Sequence, residues 1–575
     1  MHRLAPVRAL SLAASLLAIA CVDDAPPATY RDDAPEALHQ EAPTDCENPS
    51  SLRRLWLRLL QVPDGCPTGT SPGTVTRDAG LGGPGTVVRD PNAGDRDGGP
   101  VGGGPREPDP GGPVGPVVGS VTRTLDPQPP PAGPVVRPPT RVLRPEQDTT
   151  FPNLGSGVVD VQHYDLDFVW DPFAVSLEAR ATLTLVTREP AGGVPLDFGL
   201  QLDVTEATVS IDGGPEVEAP SAHVLDKLVV SFPSTVAAGT RIVVSLLYRG
   251  EPYPVGGGAP IPIGWTVHDE GAVGTVSEPD AAHEWYPCND HPTDKATYRT
   301  RITVPEGYVG VGNGVQQGEP VRNADGTTSF HWLMDQPMAP YLALVAIDDF
   351  VGIEQGTTLG VKLRNYLPRG EESLFTTSLA VQPEALTFLS DRLGPYPFRE
   401  YGAVVIPGPT AALETQGRSI FQGESARDER TVVHEIAHQW MGNSVTLVRW
   451  QSDIWWVEGF ARYSEWLWLE QTRGREAYDR EVSRAREAVG GRRGWALTQA
   501  PSGDLFAQAI YDGGALVFHE LRAQLGDPAF WAAMRAFCAR FQYGNASSDD
   551  LLQTFTVVTG RDVVPLVASL LTGAD

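Results

Sequence analysis

Residues 431–444 read TVVHEIAHQWMGNS, with His434 and His438 four apart and Glu435 between them. On a helix, positions i and i+4 stack on one face, so both rings can offer a nitrogen to one cation. Glu435 then lies about 100° round the helix, beside the cation rather than on it, where a carboxylate can take a proton from water. In a chain with 11 histidines among 575 residues, chance produces H-E-x-x-H in about one such sequence in a hundred. A catalytic zinc takes three protein ligands and leaves one position open. Downstream, DIWWVEGFARYSEWLWLE reads as a helix with Asp453 as its cap, and it carries both Glu458 and Glu465. Seven residues put these two carboxylates on nearly the same face, so helical geometry does not choose between them. Glu458 is equally placed to pair with Arg462 one turn on.

The elements that must position these residues follow from patterning. Short β-branched and aromatic runs between residues 151 and 350 (HYDLDFVW, ARATLTLV, KLVVSF, TRIVVSLLYRG, TYRTRITVP) are separated by turn residues and predict an antiparallel β domain. From about residue 380 helical periods dominate, in PEALTFLSDRLG, ERTVVHEIAHQWMG, VEGFARYSEWLWLEQTRG, GGALVFHELRAQLG and DPAFWAAMRAFCARFQ. The fold class is therefore multidomain α+β. Residues 67–150 are dominated by Gly and Pro and cannot bury enough apolar surface to offset their ordering entropy, which predicts a tether. Residues 1–20 have the layout of a secretory signal, and Ala18-Ile19-Ala20-Cys21 is similar to a bacterial lipobox. These features predict an exported, lipid-anchored protein facing the periplasm or the cell exterior. In that setting Cys46 and Cys66 could close a loop, whereas Cys288 and Cys538 read as buried thiols. The net charge of -28 and pI near 4.8 argue against nucleic acid.

HEIAHQWMGNSVTLVRWQSDIWWVEGFA resembles the aminopeptidase N family of zinc exopeptidases, in a short bacterial form, and three further segments resemble it in the expected order. The resemblance implies one Zn2+ per chain held by His434, His438 and Glu458, with Glu435 as general base. Nineteen residues separate His438 from Glu458 where the family has eighteen, and the added one falls around Gln451 or Ser452. AALETQGRSIF resembles the exopeptidase motif G-A-M-E-N, with Ala411, Leu413 and Thr415 as departures and Glu414 at the glutamate. EPDAAHEWYPCNDHPTDKATYRTRITVP resembles the segment closing the family's N-terminal domain and brings Glu278. IYDGGALVFHELR resembles its Y-x-K-G-A stretch, placing Tyr511 at the catalytic tyrosine, with Gly513 in place of the lysine. Matching glutamates in the family hold the substrate's α-ammonium, so peptides with a free N-terminus are the implied substrates. The implied architecture is an antiparallel β domain (151–350), a thermolysin-like, mainly helical catalytic domain (351–490) and a short helical C-terminal part (491–575). Two other functions fit the residues: a zinc endopeptidase and a catalytically inactive binding module.

Overall fold

The computed structural model describes residues 148–573, apart from 225–226, 257–258 and 491–493. The signal-like N-terminus with Cys21, the Cys46–Cys66 pairing and nearly all of the tether lie outside the described residues.

The β domain is built on a nine-stranded sheet. Its main strands are β1 (Val159–Asp171), β2 (Ser176–Thr187), β3 (Leu202–Ile211), β4 (Arg241–Gly250), β5 (Ala296–Val304) and β6 (Thr328–Met338). They lie in the order β6-β5-β1-β2-β4-β3. Period-two alternation decides which face is covered: Tyr164, Leu166, Phe168 and Trp170 are buried, and the residues between them are not. One pairing departs from the antiparallel expectation, because β1 and β5 run parallel with His163 opposite Thr297. A parallel partner needs a long crossover. The chain supplies one by leaving the sheet after β4 and building strands Gly264–Val267 and Val273–Val276 of a smaller sheet before β5. Glu278 stands two residues past the second of these, at the edge of the site.

The catalytic part opens with a six-stranded sheet rather than with helices. Strands Ala403–Ile406 and Ser419–Gln422 are buried at every position, so they carry no alternation to reveal them in the sequence. An antiparallel edge strand, Ala411–Leu413, delivers Glu414. The longer helices of this part are α1 (Gln382–Leu393), which lies between strands of the sheet, and then α2 (Glu429–His438), α3 (Trp450–Arg473), α4 (Arg475–Val489), α5 (Gln508–Leu525), α6 (Asp527–Phe541), α7 (Ser548–Thr559) and α8 (Val564–Thr572). Asp428 caps α2 by accepting from the Arg430 N–H at 3.0 Å, which sets where the histidine-bearing turns begin.

Helix α3 starts three residues before the expected cap. Asp453 sits inside the first turn, where its carboxylate reaches back to the Arg449 N–H at 2.9 Å and also accepts from Ser548. Gln451 and Ser452 are therefore helical rather than part of the connecting loop. Within α3 an extra residue would swing Glu458 by about 100°.

Helices α3 and α5 cross on two glycines. A Cβ on Gly514 would lie 2.1 Å from the Trp455 carbonyl, and one on Gly459 would lie 2.5 Å from the Gly514 backbone. Interior helix glycines cost about 1 kcal/mol each relative to alanine, and here they permit the close approach that sets Glu458 and Tyr511 beside one cavity. Gly514→Ala is expected to destabilise the fold by about 1–3 kcal/mol through overpacking. An unchanged urea midpoint would show that the crossing has room to spare.

Candidate metal centre and peptide site

On α2, His434 and His438 present their rings at a centroid separation of 4.8 Å. Glu458, from the third turn of α3, completes the set: its Oε2 lies 3.3 Å from Nε2 of His434 and 3.4 Å from Nε2 of His438. That oxygen has no aligned hydrogen bond to either ring. Three donors that face one point without bonding one another suit a shared cation. Tetrahedral zinc with ligand bonds near 2.1 Å holds its donors about 3.4 Å apart, so the observed spacing fits. All three residues are buried, and all three line a cavity of about 250 Å³ that keeps one side open to a reactant.

The rival carboxylate is placed differently. Glu465 accepts on the other face of the His434 ring, with Oε1 3.0 Å from Nδ1. This fixes the tautomer that leaves Nε2 for the metal. Glu465 is held in turn by Arg430 at 2.9 Å and Arg462 at 2.6 Å, and Arg462 also binds Asp512 of α5 at 3.0 Å. Arg462 thus pairs with Glu465 and Asp512, while Glu458 is left to face the two rings. The Nδ1 of His438 is oriented by the Met441 carbonyl at 3.1 Å. Sequence reasoning assigned neither of these supports. The seven-residue spacing did flag Glu465, but only as a competitor for the metal.

Around this centre the remaining predicted residues converge. Glu435, Glu414, Glu278 and Tyr511 all line the same cavity. One carboxylate oxygen each of Glu278, Glu414 and Glu435 is buried without a hydrogen-bond partner. Tyr511, on the first turn of α5, stacks against His434 at a ring separation of 6.0 Å. Apolar residues Ile261, Val276, Leu413 and Phe506 supply much of the remaining wall.

The electrostatics follow from four carboxylates sharing a buried space. Burial pushes Glu435 up to about 8 and drives Glu278 well above the ordinary carboxylate range, where repulsion from Glu414 adds to it. Burial also raises Glu414. Burial opposes ionisation of Glu458 as well, yet the facing rings of His438 and His434 overcome it and hold that carboxyl down to about 2. The rings answer in kind: burial would lower both, but the facing carboxylates of Glu458 and Glu465 bring His434 up to about 10, and the charges of Glu414 and Glu458 bring His438 up to about 9. A cluster of this sign is completed by positive charge, and its two unpaired regions, at the rings and at Glu278–Glu414, offer places for two cations.

Residues 161–342 match the peptidase M1 N-terminal domain, and residues 378–569 match the peptidase family M1 domain. Aminopeptidase N of Haemonchus contortus is 26% identical over 432 residues, which are 68% of this chain and 44% of that protein. Aminopeptidase M1-C of Oryza sativa subsp. japonica is 28% identical over 318 residues, 50% of this chain and 35% of its own. The chain therefore spans less than half the length of these curated relatives. Its likeness to a crystal structure is more complete: the M1 zinc metallopeptidase of Deinococcus radiodurans is 28% identical with a TM-score of 0.68, covering 75% of this chain and 98% of that one. A mutant of that enzyme bound to a Tyr-Ser-Ala substrate gives a TM-score of 0.69 with the same coverage. The first matched stretch carries Glu278, the second carries every other residue of the cavity's chemistry, and on both together the chain belongs to peptidase family M1.

Proposed function

We propose that this protein is an exported zinc aminopeptidase that removes N-terminal residues from peptides. The observation that carries the reading is one cavity holding a three-donor metal set, a separate unpaired carboxylate at Glu435, and two orphaned carboxylates at Glu278 and Glu414. His434, His438 and Glu458 would hold the zinc, which when bound would supply Lewis acidity toward the scissile carbonyl and a water. Glu435 takes a proton at its unpaired oxygen and returns it to the leaving amine. The Tyr511 hydroxyl donates to the oxygen on which negative charge develops, and losing one such donor typically costs about 10²–10³ in rate. Glu278 and Glu414 hold the substrate's α-ammonium, so the scissile bond presented is the first one. Glu465, through His434, keeps the ligand ring in register.

Removing zinc tests the centre. Chelation should abolish hydrolysis of aminoacyl amides, and one equivalent of zinc per chain should restore it. Activity that survives with no bound metal would contradict the proposal. The Tyr-Ser-Ala substrate bound to a mutant of the Deinococcus enzyme supports peptides as the substrate class. Export and lipid attachment rest on the signal-like N-terminus and Cys21. Cys21→Ser should move the enzyme from the membrane fraction to the soluble one with its activity intact, because the tether separates anchor from enzyme. A wild-type protein found wholly soluble would sink the anchor.

A further inference from the structure

We infer that Gln439 and Asn443 are positioning residues that tie Glu414 to the metal-bearing helix and so set how far the substrate's ammonium sits from the scissile bond, an inference that rests on the aminopeptidase reading. Both stand on the turn that follows α2, whose last residue is the ligand His438. Gln439 is fully buried. Its Nε2 donates to the Glu414 carbonyl at 3.2 Å, and its Oε1 accepts from the Gly417 N–H at 2.8 Å. Asn443, equally buried, donates from Nδ2 to the same Glu414 carbonyl at 2.6 Å. One carbonyl oxygen thus takes two side-chain donors from the element that carries two of the three metal ligands.

The Glu414 carboxylate has a different status from its main chain. Its Oε1 is buried without a hydrogen-bond partner and is therefore available to a ligand, and the aim of that side chain is inherited from the pinned backbone. Asn443 makes its bond while its own Oδ1 stays buried and unpartnered. An orphaned buried acceptor costs stability, so the amide is poorly explained as a stabilising device. The β domain grips both this turn and the one after Glu414 from the far side: the Gln416 N–H donates to the Leu342 carbonyl at 3.2 Å, Asn313 donates to the Gln416 carbonyl at 3.0 Å, and Lys295 donates to the Asn443 carbonyl at 2.7 Å. Anchor, metal helix and β domain are joined through two turns hydrogen-bonded to each other. Such joining matters because a displacement of about 1 Å at a substrate-positioning group can cost about 10²-fold in rate.

The test uses Gln439→Met, Asn443→Ala and the double variant, with zinc content and melting temperature measured alongside activity. The readout is the ratio of kcat/KM for leucine p-nitroanilide to that for its N-acetylated form, since only the first carries the ammonium. Each single variant leaves one donor on the Glu414 carbonyl and should lower the ratio by about three- to tenfold, whereas the double variant, with neither donor, should lower it by about 10²-fold. Zinc should stay stoichiometric throughout. A purely packing role would lower the melting temperature and leave the ratio where it was. An unchanged ratio in the folded, zinc-loaded double variant overturns the inference; should that variant not fold or lose zinc, an unchanged ratio in both single variants does so. A wild-type ratio near one defeats the aminopeptidase reading itself, whereas a high wild-type ratio that the variants do not move defeats only the positioning role.

Discussion

Glu435→Gln is expected to lower kcat by about 10²–10⁴-fold while zinc remains bound at one equivalent. Glutamine keeps the volume and one oxygen of the side chain but cannot take a proton. The site needs a base here because Glu435 lies on the same helix as His434 and His438, buried, with one oxygen facing the cavity and bonded to nothing. Its two neighbouring rings turn Nε2 toward Glu458 and bond through Nδ1 to Glu465 and the Met441 carbonyl. Among the described residues, the other carboxylates lining the cavity are Glu458, which faces the rings, and Glu278 and Glu414, which the proposal places on the ammonium. Loss of zinc in this variant would mean that Glu435 is a ligand. Turnover within tenfold of wild type would mean that it is not the base.

The second large effect separates the two glutamates of α3. Glu458→Gln should leave the protein with substoichiometric zinc after dialysis, because a neutral amide replaces the only anionic donor of the set. Glu465→Gln should keep zinc but bind it about 10–100-fold more weakly, the usual cost of removing the group that orients a ligating histidine. The geometry behind this order is plain: Glu458 faces the two Nε2 atoms, whereas Glu465 bonds Nδ1 on the opposite edge of one ring. Competition dialysis against a chelator measures both. Reversal of the order would exchange the two roles.

That pair also shows what could be read from sequence. The four-residue spacing of His434 and His438 has one helical meaning, and the structure places both rings together accordingly. The seven-residue spacing of Glu458 and Glu465 has two meanings, and only family context favoured Glu458 until the fold put the carboxylates on different ring nitrogens. Half-covered strands such as β1 and β2 announced themselves by alternation. The six-stranded sheet did not, because its inner strands are short and covered on both faces. The parallel pairing of β1 and β5 joins residues some 130 apart, a choice made by the path of the intervening chain rather than by either strand. Glu278 and Glu414, each unremarkable in its own segment, are paired by family context alone until two separate sheets deliver them to one cavity. The buried thiols read from sequence are buried and free at Cys288 and Cys538.

The assignment as an aminopeptidase turns on whether the enzyme requires a free α-ammonium. Removing one partner of a charge-assisted hydrogen bond in a desolvated site costs about 1.5–3 kcal/mol, which is at least tenfold in kcat/KM. The most direct measurement is therefore kcat/KM of the wild-type enzyme for leucine p-nitroanilide against N-acetyl-leucine p-nitroanilide, at a pH where the amine is protonated. A preference of more than tenfold for the unblocked substrate is expected. Equal cleavage of the two would contradict the role of Glu278 and Glu414 and would assign the zinc centre to an endopeptidase.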